Sequence, residues 1–582
     1  MFRIVQANTG RSRAGMIELL SDCVACGVDV LLLQEPYSSR GTVPVEGMGR
    51  VFCVGLPRQN RGIDVWVCVV VLNDCLGAVL LSEFSSPYCV AVDLVTGGGC
   101  RVVVCSVYLR PGRVHDDEWG MVERVSVEYE RVPLLIGCDV NCSSELWYGT
   151  GRGCARSQRI EDWVALQFMS VLNEWDERCT FETVNGRSNV DVSFCNDACL
   201  VMNVSWRLGD LCVDHRSIHM SVGLEDDRRA DPERVRFVLS GANWLTFDRE
   251  LVGRMNGIDG GGVDRLADSL TAAVLGAARA SIPVRHGGKR VPWWGRQLAD
   301  LRKSVKRARR RFQHARGERR LRLQVAWRNL RRMYVYTVSV CKWNAWRQWV
   351  SREGARNPWG IVYKSVIRGG VRNRVLVTVR REGRVTAGVN ETLNAFLCEL
   401  LPGDDARVDA GAQPVVRAGF VSEDGCGPCV GEWSPEALAI AVSKMKCGTA
   451  PGLDEISPDL VWRAWGRVKD VCLDLFNRCL NQGVYPAAWR IGEVVLIPKA
   501  GDRDLSLVKS FRPVTLLSVW GKLLERLIET SLRSAIGAAG GMSRKQYGFV
   551  GGKSTVDAVR HVIEWVGGCG YRFVLAVFLG CR

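Results

Sequence analysis

Short apolar runs alternate with amphipathic stretches along residues 1 to about 225. FRIVQAN, VDVLLLQE, RVVVCSVY and PLLIG are rich in β-branched and aliphatic residues and end near polar ones, the pattern of buried strands. The stretches between them carry helical spacing, so an α/β domain with many strands is predicted. The longest apolar stretch, VWVCVVVLNDCLGAVLL, is interrupted by Asn73 and Asp74 and predicts two buried strands, not a membrane span. Farther along, Leu298, Leu301, Val305, Ala308, Phe312 and Ala315 recur at spacings of three and four, one stripe of a helix. Residues 383–432, with GDDARVDAGAQPVV and EDGCGPCVGEW, are rich in Gly, Asp and Pro and predict a flexible junction. From about 433 helical periodicity returns in SPEALAIAVSKM and VCLDLFNRCLNQ.

Composition narrows the class. A chain of 582 residues, 47% hydrophobic and 24% charged, is neither disordered nor fibrous and has room for three or four units. The start, MFRIVQANTG, has no signal-peptide core, and no membrane partner is expected. The 24 cysteines are then expected as free thiols in a reducing compartment. Charge is concentrated. Residues 285–382 hold 28 Lys or Arg against 4 Asp or Glu, a local +24 in a chain of net +16, so the rest carries −8. Trp327, Tyr334, Tyr336, Trp343, Trp346 and Trp349 are interleaved with this charge. Cations there can neutralise phosphates and aromatic faces can stack on unpaired bases. A solvated helix pair that joins two domains is the plainer alternative.

Several polar residues follow directly on the apolar runs: Asn8, Glu35, Tyr108, Asp139 with Asn141, Asp191, and Asp214 with His215. If the runs are strands, these side chains emerge at strand ends, where sheet proteins assemble sites. Acidic groups with Asn, Tyr and His suit Mg²⁺-assisted phosphodiester hydrolysis, since carboxylates hold the hard cation and orient a water. Any one of them alone is unremarkable; Asp191 by itself reads as a turn or ladder residue. Two cysteine pairs, Cys23–Cys26 and Cys426–Cys429, have zinc or redox spacing but lack a second half or a preceding strand.

The order of these pieces resembles the apurinic-type endonucleases of the exonuclease–endonuclease–phosphatase superfamily, in the version found in non-LTR retrotransposons. The matching blocks are QAN (6–8), LLQEPY (32–37), SVYLRP (106–111), CDVN (138–141), TFETVNGRSNVDVSF (180–194) and VDHRSI (213–218). The resemblance implies a four-layer α/β sandwich and a Mg²⁺ site with Glu35 as principal ligand, Asn8 beside it and Asp214 assisting. It implies that Asp139 orients or deprotonates the attacking water and that Asn141 contacts the phosphate. His215, oriented by Asp191, and Tyr108 on the opposite side would then hold the scissile phosphate. Cys138 stands where the family usually has glycine, and Val213 where it has serine; neither removes a group the chemistry requires.

Four further blocks, KCGTAPGLDEISPDLV (446–461), WRIGEVVLIPKAGDRD (489–504), SFRPVTLLSVWGKLLERLI (510–528) and QYGFVGGKSTVDAV (546–559), resemble the opening motifs of non-LTR reverse transcriptases. The resemblance assigns Lys499 and Arg512 to a nucleotide's phosphates, while Val550 replaces a customary arginine. VLAVFL (574–579) is followed by Gly580 where that family has a metal-binding aspartate. The expectation is therefore an incomplete fingers/palm domain, cut off before its catalytic aspartates, that holds nucleotides weakly.

The expected organisation is an endonuclease domain at 1–225, a basic helical linker at 226–382, the junction at 383–432, and the reverse-transcriptase-like part at 433–582. The leading reading is a truncated retrotransposon polyprotein, similar to those inserting in ribosomal DNA or telomeric repeats. It would nick target DNA to prime copying of its element RNA, acting in the nucleus after synthesis in the cytoplasm. A stand-alone repair endonuclease with an inert tail, or a non-enzymatic nucleic-acid-binding relic, is the alternative.

Overall fold

A computed structural model describes most of residues 2–568. Outside the described residues lie position 1, 569–582, the stretches 224–235, 286–292, 357–374 and 402–430 (apart from 407 and 413), and short gaps at 40, 46–47, 59–61, 113–116, 150–152, 184–185, 259–260, 294, 314, 500–502 and 549. The strands, in chain order, are β1 (Phe2–Asn8), β2 (Val30–Gln34), β3 (Arg50–Phe52), β4 (Leu56–Arg58), β5 (Gly62–Asp64), β6 (Val67–Val71), β7 (Gly77–Leu80) and β8 (Cys89–Val95). They continue as β9 (Arg101–Tyr108), β10 (Leu134–Asp139), β11 (Met169–Val171), β12 (Phe181–Thr183), β13 (Gly186–Ser188), β14 (Asp191–Asn196), β15 (Ser205–Leu211) and β16 (Arg216–Val222). The helices are α1 (Arg13–Ala25), α2 (Asp117–Glu128), α3 (Ala155–Leu166), α4 (Asp197–Leu200), α5 (Trp244–Met255), α6 (Val263–Ser281), α7 (Arg296–Gln313) and α8 (Gly317–Arg356), followed by further helices named by range.

The chain divides into two compact units, neither contiguous in sequence: Met1–Val235 with Arg285–Asp409 and Leu496–Val514, and Arg236–Val284 with Ala410–Val495 and Thr515–Arg582. In the first, two six-stranded sheets have the orders β15-β16-β1-β2-β6-β3 and β11-β14-β10-β9-β8-β7. The central strands VLLLQ and VCVVV are buried along their whole length, because each face of their sheet is covered. Ile4, Leu32 and Val69 meet Val90, Val104 and Leu135 between the sheets. Met16 and Leu20 of α1 cover the outer face of one sheet through Val5, Leu31 and Val70. Trp119 and Trp163, from α2 and α3, cover the other through Cys105, Ile136 and Phe194. Helix, sheet, sheet and helix make the four layers that the sequence blocks imply.

A buried polar seam fixes how the sheets face each other. Gln6 donates to the Cys138 carbonyl at 3.1 Å and accepts from Ser193 at 2.9 Å, while Gln34 donates to Ser106 at 3.0 Å and to the Gly137 carbonyl at 3.1 Å. These buried bonds favour one register, since a slip would break all four of them. Gly137 is required there: an added Cβ falls 2.9 Å from both Gln6 Oε1 and Leu32 Cδ1.

Later parts of the chain complete this unit. The Leu80 N–H donates to the Leu376 carbonyl and the Thr378 N–H donates to the Leu80 carbonyl, both at 3.0 Å, so the β7 edge is partly covered. The fully buried Asp93 accepts from Arg101 and from the Val389 N–H, each at 2.7 Å, at the start of helix Val389–Leu400. The predicted junction is thus ordered at its beginning, where the stripe Val389, Thr392, Ala395 and Phe396 outweighs the Gly-rich composition that follows. The Cys426–Cys429 pair lies outside the described residues. The basic stripe forms α7, whose Leu298 and Val305 pack against Tyr334 and Val338 of α8; Phe312 and Trp327 stack at 5.6 Å. Tyr336, Trp343 and Trp346 remain exposed.

The second unit is helical around Phe247, Leu270, Phe476, Trp489 and Trp520. Ser434 and Ser457 cap helices Pro435–Ser443 and Pro458–Gln482, each with proline at its first position, and Gly483 ends the latter at φ 64. VLAVFL and Gly580 lie outside the described residues. The described cysteines are free thiols. Among the described residues no helix is long and apolar enough to cross a membrane.

Candidate active site

Strand pairing builds the site. β9 and β10 run parallel with Tyr108 opposite Asp139, and β14 enters antiparallel with Asp191 opposite Asp139. Three functional side chains therefore form one row across a sheet. In the facing sheet β1 and β2 end together with Asn8 opposite Gln34, and Glu35 follows. Asn8 bridges the sheets by donating to Asp139 Oδ2 at 2.8 Å. His215 sits in the turn between β15 and β16, its Nδ1 2.8 Å from Asp191 Oδ2. The ligating atoms of Asp139, Asp191 and His215 lie within 4.8 Å of one another.

Two left-handed residues shape the rim, and such strain persists only where surroundings hold it. Glu35, at φ 43, donates its N–H to the Trp66 carbonyl, and its own carbonyl accepts from the Arg11 N–H, all three groups linked at 2.8 Å. Asn141, at φ 49, donates its N–H to Asp139 Oδ1 at 3.2 Å and its amide to the Leu109 carbonyl at 2.9 Å. Behind Asp191, Thr180 Oγ1 accepts from the Val190 and Asp191 N–H groups, and Asn173 donates to the Asp191 carbonyl.

Burial, then the Asp191 charge, pushes the Asp139 carboxyl up to about 7. Burial alone would lower His215, but the Asp191 charge and hydrogen bond, helped by Asp139 and Glu35, raise it to about 9. Burial and a hydrogen bond to the Glu35 carboxylate push the Tyr108 hydroxyl far up, so it stays a neutral donor. Among the described residues, Asp191 Oδ1 is buried without a hydrogen-bond partner. Two crowded carboxylates, one carrying an orphaned oxygen, with Glu35 near enough to act on Tyr108 and His215, are an oxygen-rich anionic set that a divalent cation fits.

Not every residue named from sequence joins this cluster. Asn8 enters it as a donor to Asp139, its own oxygen accepting the Gly10 N–H at 2.9 Å. Asp214 is exposed, and its carbonyl accepts from the Glu182 N–H. Lys499 and Arg512 lie on a separate hairpin, where Lys499 Nζ donates to the Lys509 carbonyl at 2.7 Å and Arg512 is exposed.

Four neighbours escaped the sequence reading. The Arg11 guanidinium lies 3.8 Å over the Trp66 ring, which stacks on Tyr108 at 5.7 Å and 10°. Arg110 lies 4.1 Å over Tyr88. Cations held on aromatic faces beside the row are positioned for a polyanion. The missed signal is that Trp66 precedes β6, which runs antiparallel to β2; the start of one strand therefore lies beside the end of the other, where Glu35 emerges. Chemically, a carboxylate that ionises near neutrality beside an imidazolium can take a proton from water while a cation faces an anionic phosphoryl group.

Among family models, one described as "Endonuclease-reverse transcriptase" matches residues 102–219. The Pol polyprotein of retrotransposable element R1 from Bradysia coprophila is 28% identical over 92% of this chain and 54% of its own length. The putative 115 kDa protein of element R1DM from Drosophila melanogaster is 26% identical over 100% of this chain and 56% of its own. The chain spans about half the length of these curated relatives. Among solved structures, the endonuclease domain of TRAS1, a telomere-specific non-LTR retrotransposon, is 24% identical, covers 39% of this chain and 100% of its own, and has a TM-score of 0.34.

Proposed function

We propose that this chain, which its motif blocks and its R1 relatives place among the non-LTR retrotransposon polyproteins, nicks DNA in a Mg²⁺-dependent reaction at the Asp139–His215 cluster. The observation that carries the reading is the hydrogen-bonded line Asn8–Asp139 and Asp191–His215 at the ends of facing sheets. Ionised Asp139 takes the proton of the attacking water. His215, held as imidazolium by Asp191, donates to the scissile phosphate, and neutral Tyr108 donates from the neighbouring strand. Glu35 is the residue placed to hold the cation, with Asp139 close by; the bound cation supplies charge neutralisation at the phosphoryl oxygens. The severed strand keeps a 3′-hydroxyl, and for the whole polyprotein we propose that this end primes copying of the element RNA. In this scheme Lys499 and Arg512 hold a nucleotide's phosphates, and the basic α7–α8 hairpin holds nucleic acid by its charge. The site of action is the nucleus.

The test is conversion of supercoiled plasmid to open circles by the full chain. Mg²⁺ should support it, EDTA should abolish it, and readdition of Mg²⁺ should restore it. Equal conversion in EDTA would remove the metal from the scheme.

A further inference from the structure

His215 owes its place to a short turn, and that turn is held from two sides. On one side the Glu182 N–H donates to the Asp214 carbonyl at 2.8 Å and the Arg216 N–H to the Thr180 carbonyl at 2.6 Å. The Cys212 N–H closes the turn on the His215 carbonyl at 2.7 Å. On the other side the carbonyls of Leu211 and Val213 face α7. There a single guanidinium, that of Arg309, spans both: one nitrogen donates to Leu211 at 2.5 Å and the other to Val213 at 3.0 Å. A planar fork bridging two carbonyls fixes their spacing in a way that a flexible point charge does not.

Arg309 is itself held. Its guanidinium lies 5.8 Å from the Trp327 ring, and Trp327 stacks on Phe312 across the hairpin. About two helical turns earlier, and so on the same face of α7, Arg302 pairs with Asp22 of α1. Val213 fits against Gly15 of the same α1, where an added Cβ would come within 2.9 Å of Val213 Cγ2. In the run Lys-Arg-Ala-Arg-Arg-Arg (306–311), Arg307 and Arg311 are exposed, while Arg309 turns inward. Helical spacing separates these directions: positions 307 and 311 are one turn apart, whereas 309 lies opposite them.

We infer that Arg309 is a positioning residue for the nuclease reaction: through the Leu211 and Val213 carbonyls it holds the turn that places His215 against Asp191. The basic hairpin is then part of the nuclease and not only a charged tether. This inference rests on the proposed nuclease reading for its kinetic consequence, but not for its structural one.

The test uses the full chain in three variants. Arg309→Met keeps the side chain's length and removes the fork, Arg309→Lys keeps the charge, and Arg311→Met removes an equal charge from the exposed face. Hydrogen exchange of the amides at 211–216 should quicken about tenfold in Arg309→Met, less in Arg309→Lys, and stay as in the parent in Arg311→Met. In cleavage, Arg309→Met should lower kcat about tenfold with KM for DNA within about twofold, and methylguanidinium should restore part of the loss. Arg311→Met should act on KM. Unchanged exchange at 211–216 in Arg309→Met would overturn the inference. So would a purely KM effect equal to that of Arg311→Met, because Arg309 would then be one more DNA-binding charge. The exchange measurement decides the matter even if the chain cleaves nothing, so failure of the nuclease reading is told apart from failure of the brace.

Discussion

Asp191 acts on His215 by charge as well as by geometry, and the two separate in Asp191→Asn. The amide oxygen can still accept the Nδ1 proton across the 2.8 Å contact, so the ring's tautomer is kept. The negative charge is lost. The ring is raised from 6.5 to about 9 despite its burial, with Asp191 as the largest raising influence. Returning it to 6.5 corresponds to about 3 kcal/mol in how firmly it holds its proton. At pH 8 roughly nine-tenths of the rings are protonated in the first case and about 3% in the second. Single-turnover nicking of a labelled duplex, followed from pH 6 to 10 at saturating Mg²⁺, reads this directly. The cation shifts both curves the same way, so the displacement between them is the quantity tested. The falling limb should move down by about two pH units, with the variant the slower throughout the window between the two limbs. Equal slowing at every pH, with the limb unmoved, would refute the electrostatic role.

Metal-free protein should lose stability as pH rises. The folded values of Asp139 and His215 are both raised, so their contribution is present below the unfolded values and is lost through about 7 and about 9 respectively. Melting curves in EDTA should show the fall, and Asp139→Asn should flatten its lower part. Glu35→Ala should reduce nicking by orders of magnitude with a melting temperature close to the parent's, since Glu35 lies at a strand end outside the core clusters; equal activity in that variant would dismiss it as a metal ligand. Nucleic-acid binding through 285–382 should weaken with salt at a log–log slope of about −0.9 per phosphate neutralised on duplex DNA, and a flat response would mean the basic face is only solvated. Asp93→Ala leaves the Val389 N–H and Arg101 without their buried acceptor and should cost about 2–4 kcal/mol in denaturant unfolding.

The strand ends were legible because apolar runs closed by polar residues carry a local signal, and Glu35, Tyr108 and Asp139 each end or follow such a run. Their register was not. That Asp139 faces both Tyr108 and Asp191 depends on which strands pair, and pairing is set by the closed core between the sheets. The same reason hid Trp66, which stands before a strand that pairs antiparallel with the one leading to Glu35. The resemblance puts Asn8 beside the metal; its amide donates to Asp139, a contact that only the pairing of the two sheets brings about. The attachment of 376–389 to Leu80 and Asp93 joins positions nearly 300 residues apart, and nothing local announces it. Arg309 was one arginine in a basic run; only the turn beneath it distinguishes it from Arg307 and Arg311.

The most direct measurement is end-mapping of a duplex labelled on each strand after incubation with the full chain and Mg²⁺. The account predicts a break in one strand bearing a 3′-hydroxyl that an independent polymerase extends, and no break with Asp139→Asn or His215→Ala. A 3′-phosphate end, or the same break from both variants, would contradict it.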